Sequence, residues 1–122
     1  YAHARICAVL RNAKELGINY GIKFYAPELL THERERELVG LLAQYPKVLS
    51  SAAELRQPHR VARYIEELAA QYHRFYNDCR VLPLGDEKVS DLNSARASLS
   101  QATAQVINNG LDLLGVNAPE KM

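Results

Sequence analysis

Six apolar side chains, Val61, Ile65, Leu68, Tyr72, Phe75 and Cys79, follow one another at steps of 4, 3, 4, 3 and 4. These steps average close to the 3.6-residue turn of an α-helix, so all six share one stripe of a long amphipathic helix. A chain built around that stripe must supply apolar surface to cover it. Pro58 is placed to open the helix, because a proline in the first turn gives up an N–H that has no partner there.

The remaining pattern is helical too. Ala2, Ile6, Val9, Ala13 and Leu16 step by 4, 3, 4 and 3 and predict a first helix, ended by Gly17. Gly17 to Pro27 reads as a connector, with Tyr20, Phe24 and Tyr25 needing somewhere to pack. A second helix is expected to begin near Pro27 or Glu28 and to carry Leu30, Leu38, Leu41, Leu42 and Tyr45. Pro46 ends it and opens a short third helix bearing Val48, Leu49, Ala52 and Leu55. Val81 to Val89, with Pro83, Gly85 and Asp86, reads as a loop.

Ser90 or Asp91 can cap the last helix, whose stripe is read as Leu92, Ala95, Leu99, Ala102, Val106 and Leu113, with Asn109 as a polar flaw. Because the period resumes in phase beyond Asn108-Asn109-Gly110, the helix is expected to run through, and Gly110 would admit a close neighbour. Gly115 supplies a C-terminal cap and Val116 to Met122 a tail. No period-two pattern competes. The expected fold class is all-α, an antiparallel helical bundle of four to five helices, with residues 1–122 as a single domain.

A length of 122 residues suffices for one hydrophobic core without metal or disulfide staples. No apolar run approaches the roughly 20 residues that cross a bilayer, and no signal-peptide pattern opens the chain. Cys7 and Cys79 are too few for a disulfide framework, so free thiols and a cytoplasmic location are expected. A formal net charge of +1 gives no global basic field, so any nucleic acid must be held by a local patch and by stacking. Such a patch is available: Arg5, Arg11 and Lys14 lie in a first segment without acidic residues. A start at Tyr1 rather than Met, directly into a helical pattern, suggests a piece of a longer protein.

Most enzyme signatures are missing, including a phosphate loop, a Gly-x-Ser-x-Gly elbow, a His-Glu-x-x-His pair and a Cys-x-x-Cys. His3 and Cys7 lie one helical turn apart, but a zinc site would need Cys79 with His59 or His73 to converge on them, so no metal is expected. Both thiols read more simply as small core residues. Glu66 and Glu67 diverge around a helix and make a poor acid and base pair. Aromatic content is more suggestive, because looped RNA is recognised by stacking of splayed bases on rings and Arg planes. Tyr72, Phe75, Tyr76 and Asn77 fall within two turns, followed by Arg80. Phe75 belongs to the apolar stripe, whereas Tyr76 is displaced from it by about 100° and can face outward.

Several segments carry a family resemblance. They are Tyr-Ala-His-Ala-Arg-Ile at 1–6, Gln-Tyr-Pro-x-Val at 44–48, Pro58-His-Arg-Val-Ala-Arg-Tyr, and Phe75-Tyr-Asn-Asp-Cys-Arg-Val-Leu82. Ala95-Arg-Ala-x-Leu, Asn109-Gly-Leu-x-Leu-Leu-Gly115 and Ala118-Pro-Glu-Lys-Met122 complete the set. Together they resemble, in the right order and over nearly the whole chain, the C-terminal DALR-type anticodon-binding domain of arginyl-tRNA synthetases. The letters Asp-Ala-Leu-Arg do not occur as a run.

The resemblance implies a non-catalytic helical bundle that grips the anticodon loop of arginine tRNA. It lies after a catalytic domain that attaches arginine using ATP and Mg, and contacts neither membrane nor DNA. No cofactor is implied for the bundle itself. Tyr1, Arg5, Tyr76, Asn77 and Met122 match positions at the anticodon loop. Tyr76 would stack on an everted base, Arg5 donate to a base edge or phosphate, Tyr1 add a ring and Met122 an apolar lid. Asn77 would bind or brace the helix end, and His3 would pack or contact another domain. The competing class is a helical protein–protein interaction module using the same Tyr and Arg as anchors.

Overall fold

The computed structural model describes residues 2–83 and 88–115. Among them are five α-helices, α1 (Ala2–Glu15), α2 (Glu33–Ala43), α3 (Tyr45–Leu55), α4 (His59–Asp78) and α5 (Asp91–Leu113). Two single 3-10 turns, Ile22–Phe24 and Pro27–Leu29, lie between α1 and α2, and there is no strand among the described residues. No helix there is long and apolar enough to cross a membrane.

The six-residue stripe is the centre of the core: five members lie on α4, Cys79 caps its C-terminal end, and none is more than 7% exposed. Tyr64 and Gln71 widen it on one side. Three contacts set how α5 lies against it. Gly110 faces Val61 and Ile65, Ser100 meets the Tyr72 hydroxyl, and Asn93 donates to the Val81 carbonyl. Residue numbers rise on one element as they fall on the other, so α4 and α5 are antiparallel. The same ordering holds for α2, where Arg34 pairs with Asp78, Glu37 with Gln71 and the Leu41 carbonyl with Tyr64. The all-α antiparallel bundle is the fold.

α5 runs unbroken through Asn108-Asn109-Gly110, but its buried face differs from the expected stripe. Ala95 and Leu99 are buried, whereas Ala102, Asn109 and Leu113 are exposed and Leu92 and Val106 only half-buried. The interior takes Ser98, Ser100, Thr103, Ala104, Ile107 and Gly110 instead. Their hydroxyls make this possible: Ser98, Ser100 and Thr103 donate to the carbonyls of Ser94, Arg96 and Leu99 at 2.8, 3.0 and 2.9 Å. With each hydroxyl satisfied within the helix, these side chains behave as small core residues. α5 is also flanked by α1, α4 and the 3-10 turns, so one apolar stripe does not describe it.

α2 begins at Glu33, later than the predicted start near Pro27 or Glu28, which proves to be a separate 3-10 turn. His32 is the cause. Its Nδ1 accepts from the Arg34 backbone N–H at 3.0 Å while Glu35 Oε1 accepts from the His32 N–H at 2.9 Å, a reciprocal cap that defines the helix start. Leu30 is therefore buried from the connector rather than from the helix. Tyr45 belongs to α3, where its ring stacks on Tyr64 with centroids 5.8 Å apart. Leu16 and Leu55, expected on stripes, are exposed past the last useful turn of α1 and at the end of α3. Ile18, 3% exposed, fills the place expected of Leu16.

Candidate nucleic-acid interface

Two of the predicted site residues meet where α1 packs beside the last turns of α4. Arg5 projects from the second turn of α1, and its guanidinium carbon lies 4.4 Å from the centroid of the Tyr76 ring. The positive group thus sits over the negative face of the aromatic quadrupole. Arg5 Nη1 is also 3.2 Å from His73 Nδ1. Since a guanidinium only donates, Nδ1 must be the acceptor, which places the imidazole proton on Nε2. Burial, and then the charge of Arg5, push the His73 pKa below the usual histidine value and keep this neutral form dominant at pH 7.

Tyr76 is half-buried and leans on Tyr72, with centroids 6.3 Å apart and planes at 31°. Tyr72 is fully buried, packs on Phe75 at 5.6 Å and donates its hydroxyl to Ser100 Oγ at 3.0 Å. Burial raises the Tyr72 pKa well above the phenol range, with the Ser100 bond opposing, so the hydroxyl stays a donor. The surface pair is therefore keyed to the core through one ring, and its position follows from the packing of α4 on α5.

Asn77 is exposed in the last turn of α4, beside Tyr76 in sequence. Tyr1 and Met122 lie outside the described residues, as do the rest of the predicted 116–122 tail and residues 84–87 of the predicted 81–89 loop. His73 was missed from the sequence as a site residue. Its signal was position: three residues before Tyr76, it neighbours that ring on the helix surface, within reach of any cation the ring attracts. His3 Nδ1 lies 3.7 Å from Cys7 Sγ. His59 opens α4 and Cys79 follows its last residue, roughly 30 Å of helix apart, so these two of the expected ligands do not meet. Among the described residues no three potential metal-binding groups converge.

A basic concavity of about 600 Å³ runs along α3 and α4 and includes Lys47, Arg60, Arg63 and Glu67. Arg60 stands roughly 24 Å along the α4 axis from Tyr76 and about 160° around it. The two cationic surfaces are thus on different sides of the helix.

A helical bundle presenting an arginine stacked on a tyrosine at the end of its longest buried stripe is the class that fold and site define. More particularly, the profile of the DALR anticodon binding domain matches residues 1–122, and the chain belongs to that family. It is 57% identical over 122 residues to an arginine–tRNA ligase of Clavibacter sepedonicus, covering all of this chain and 22% of that protein. The arginyl-tRNA synthetase of Thermus thermophilus superposes with a TM-score of 0.78 at 34% identity, over 100% of this chain and 20% of that one. That of Plasmodium falciparum gives 0.79 at 22% identity, over 100% and 20%, and shares the fold. The chain spans about a fifth of the length of these relatives.

Proposed function

We propose that the chain binds the anticodon loop of arginine tRNA as the anticodon-binding domain of an arginyl-tRNA synthetase. The stack of Arg5 on Tyr76 carries the reading. A guanidinium lying on a ring offers a nucleobase a flat, positively charged surface, and stacking on it suits an unpaired base of any sequence. His73 accepts from one Arg5 nitrogen. The other N–H donors lie in the same plane, where they can reach a base edge or a phosphate. In this proposal Tyr76 backs the guanidinium, Asn77 adds an amide beside it, and Tyr1 and Met122 complete the site.

Aminoacylation, with its ATP and magnesium, belongs in this reading to an upstream catalytic domain of the same protein, acting in the cytoplasm. The domain's share is to hold one end of the tRNA, so by itself it binds weakly, without the avidity of linked sites. The test is a titration with arginine tRNA and with a variant altered only at the middle anticodon base. Weaker binding of the altered tRNA, and affinity falling steeply with salt, are expected. Equal binding of the two, insensitive to salt, would favour a protein-interaction module.

A further inference from the structure

We propose that His73 is a positioning residue for RNA recognition: its neutral Nδ1 holds the Arg5 guanidinium on Tyr76, and protonation of the imidazole releases it. The inference rests on the reading of Arg5 and Tyr76 as an RNA-binding pair.

Arg5 is half-exposed, on a long side chain with many rotamers. No carboxylate among the described residues lies within ion-pair distance of it. Other arginines of the chain are held by acids: Arg34 by Glu37 and Asp78, Arg96 by Glu35. What directs Arg5 is the face of one ring and the Nδ1 of one imidazole, 4.4 and 3.2 Å away. The ring face attracts a cation but leaves its in-plane rotation loose; the acceptor nitrogen fixes it. His73 is itself oriented from below, its ring meeting Tyr72 edge-on at 6.4 Å. Imidazole, tyrosine and guanidinium therefore form one assembly keyed to the core.

Protonation changes both terms at once. A histidinium has no acceptor lone pair, so the hydrogen bond is lost, and its charge repels the guanidinium. Arg5 from α1 and the Tyr72 phenol on α4 are charged or titratable groups that face His73. The Arg5 charge resists protonation of His73, and burial keeps the Tyr72 phenol neutral. The assembly is thus intact near neutrality and comes apart on acidification.

The sign of the effect separates this from general electrostatics. Added positive charge tightens binding to RNA, so ordinary histidine protonation raises affinity as pH falls. Release of Arg5 lowers it. Binding of a fluorescent anticodon stem-loop of arginine tRNA is measured near pH 7.5 and near pH 5.5 for the wild type, His73→Gln and His73→Leu. Glutamine retains an acceptor oxygen and does not titrate in this range; leucine has no acceptor. Wild type should lose affinity by about tenfold on acidification, the scale of one hydrogen bond to a charged group. His73→Gln should match wild type at the higher pH and lack the loss, and His73→Leu should bind weakly at both.

Nitrogen-15 shifts of the imidazole give an RNA-free readout. They should show the Nε2–H tautomer in wild type, and a higher His73 pKa in Arg5→Gln. Identical pH profiles for wild type and His73→Gln, or wild-type affinity for His73→Leu near pH 7.5, overturn the proposal. Arg5→Ala and Tyr76→Ala serve as the separate check. If they weaken binding while the His73 variants do not, only the positioning role fails; if they bind RNA unchanged, the RNA-binding reading fails with it.

Discussion

The Glu35 carboxylate, only 1% exposed, accepts a 2.7 Å hydrogen bond from Arg96 Nε across the interior of the bundle. Its other oxygen accepts from the His32 backbone N–H. Arg96 in turn donates through Nη1 to the Arg80 carbonyl at 2.9 Å. One ion pair thereby joins the start of α2, the second turn of α5 and the chain leaving α4. Removing one partner strands the other charge in a poorly solvated place, a loss of about 3–5 kcal/mol. Arg96→Met should lower unfolding stability in urea by that amount. Pairing it with Glu35→Leu should recover most of the loss, short by about 1 kcal/mol for the forfeited cap. Equal destabilisation by single and double variants would remove the buried charge as the cause.

Gly110 gives a second, independent test of packing. A Cβ there would stand 2.5 Å from Ile65 Cδ1 and 2.9 Å from Cγ1, too close unless the Ile65 side chain or the two helices shift. Overpacking of this kind costs about 1–3 kcal/mol, while alanine in a helix interior returns about 1 kcal/mol over glycine. Gly110→Ala is therefore expected to destabilise by about 1 kcal/mol. Ile65→Val deletes Cδ1, so in a double-mutant cycle the two changes should couple favourably. Strict additivity would mean that the Ile65 side chain or the helices give way freely at this point.

The stripe on α4 could be read from the sequence because all six members are apolar and all face the same core. α5 could not be read the same way. Its interior face is written in Ser98, Ser100 and Thr103, polar letters whose hydroxyls bond back to their own helix. Counting apolar residues drew the stripe toward Ala102 and Leu113, on the solvent side. The His32 and Glu35 cap was visible as a motif only if histidine is admitted as a capping residue, and the proline at 27 offered a more familiar start. At the site, the half-exposed setting of Tyr76 followed from its 100° displacement from the stripe. Its meeting with Arg5 depended on which side of α4 received α1, and no local pattern encodes that. The bond from Arg5 to His73 and the pair of Glu35 with Arg96 join residues far apart in the chain, so only the tertiary fold reveals them.

The depressed His73 pKa has a consequence for stability as well as for binding. A histidine that binds its proton less readily in the folded state leaves the unfolded state holding more protons below about pH 6.5. Its contribution is thus unaffected above the unfolded pKa, begins to fall as pH drops through that value, and is fully lost below the folded pKa. Urea midpoints measured from pH 8 to pH 5 should fall further for wild type than for His73→Gln. The other three histidines are common to both proteins, so the difference isolates His73. Parallel curves would show that folding leaves this imidazole's proton affinity unchanged.

Tyr76 is the side chain on which base recognition and local packing meet, and the two roles can be separated by the choice of substitution. Tyr76→Phe keeps the ring that supports Arg5 and touches Tyr72, so both stability and affinity for arginine tRNA should stay close to wild type. Tyr76→Ala removes the support, and loss of one stacking platform is expected to weaken tRNA binding by about 1–3 kcal/mol. Because the ring is only half-buried, the bundle should still fold cooperatively, which circular dichroism and a urea titration would establish. Arg60→Gln with Arg63→Gln is the electrostatic comparison. It removes two positive charges from the opposite side of α4 and should affect anticodon-loop binding less than Tyr76→Ala, with the discrimination at the middle base intact. If removing those distant charges weakens binding as much as removing the ring, attraction to net positive charge governs the interaction, and the stack of Arg5 on Tyr76 is not where the loop is read.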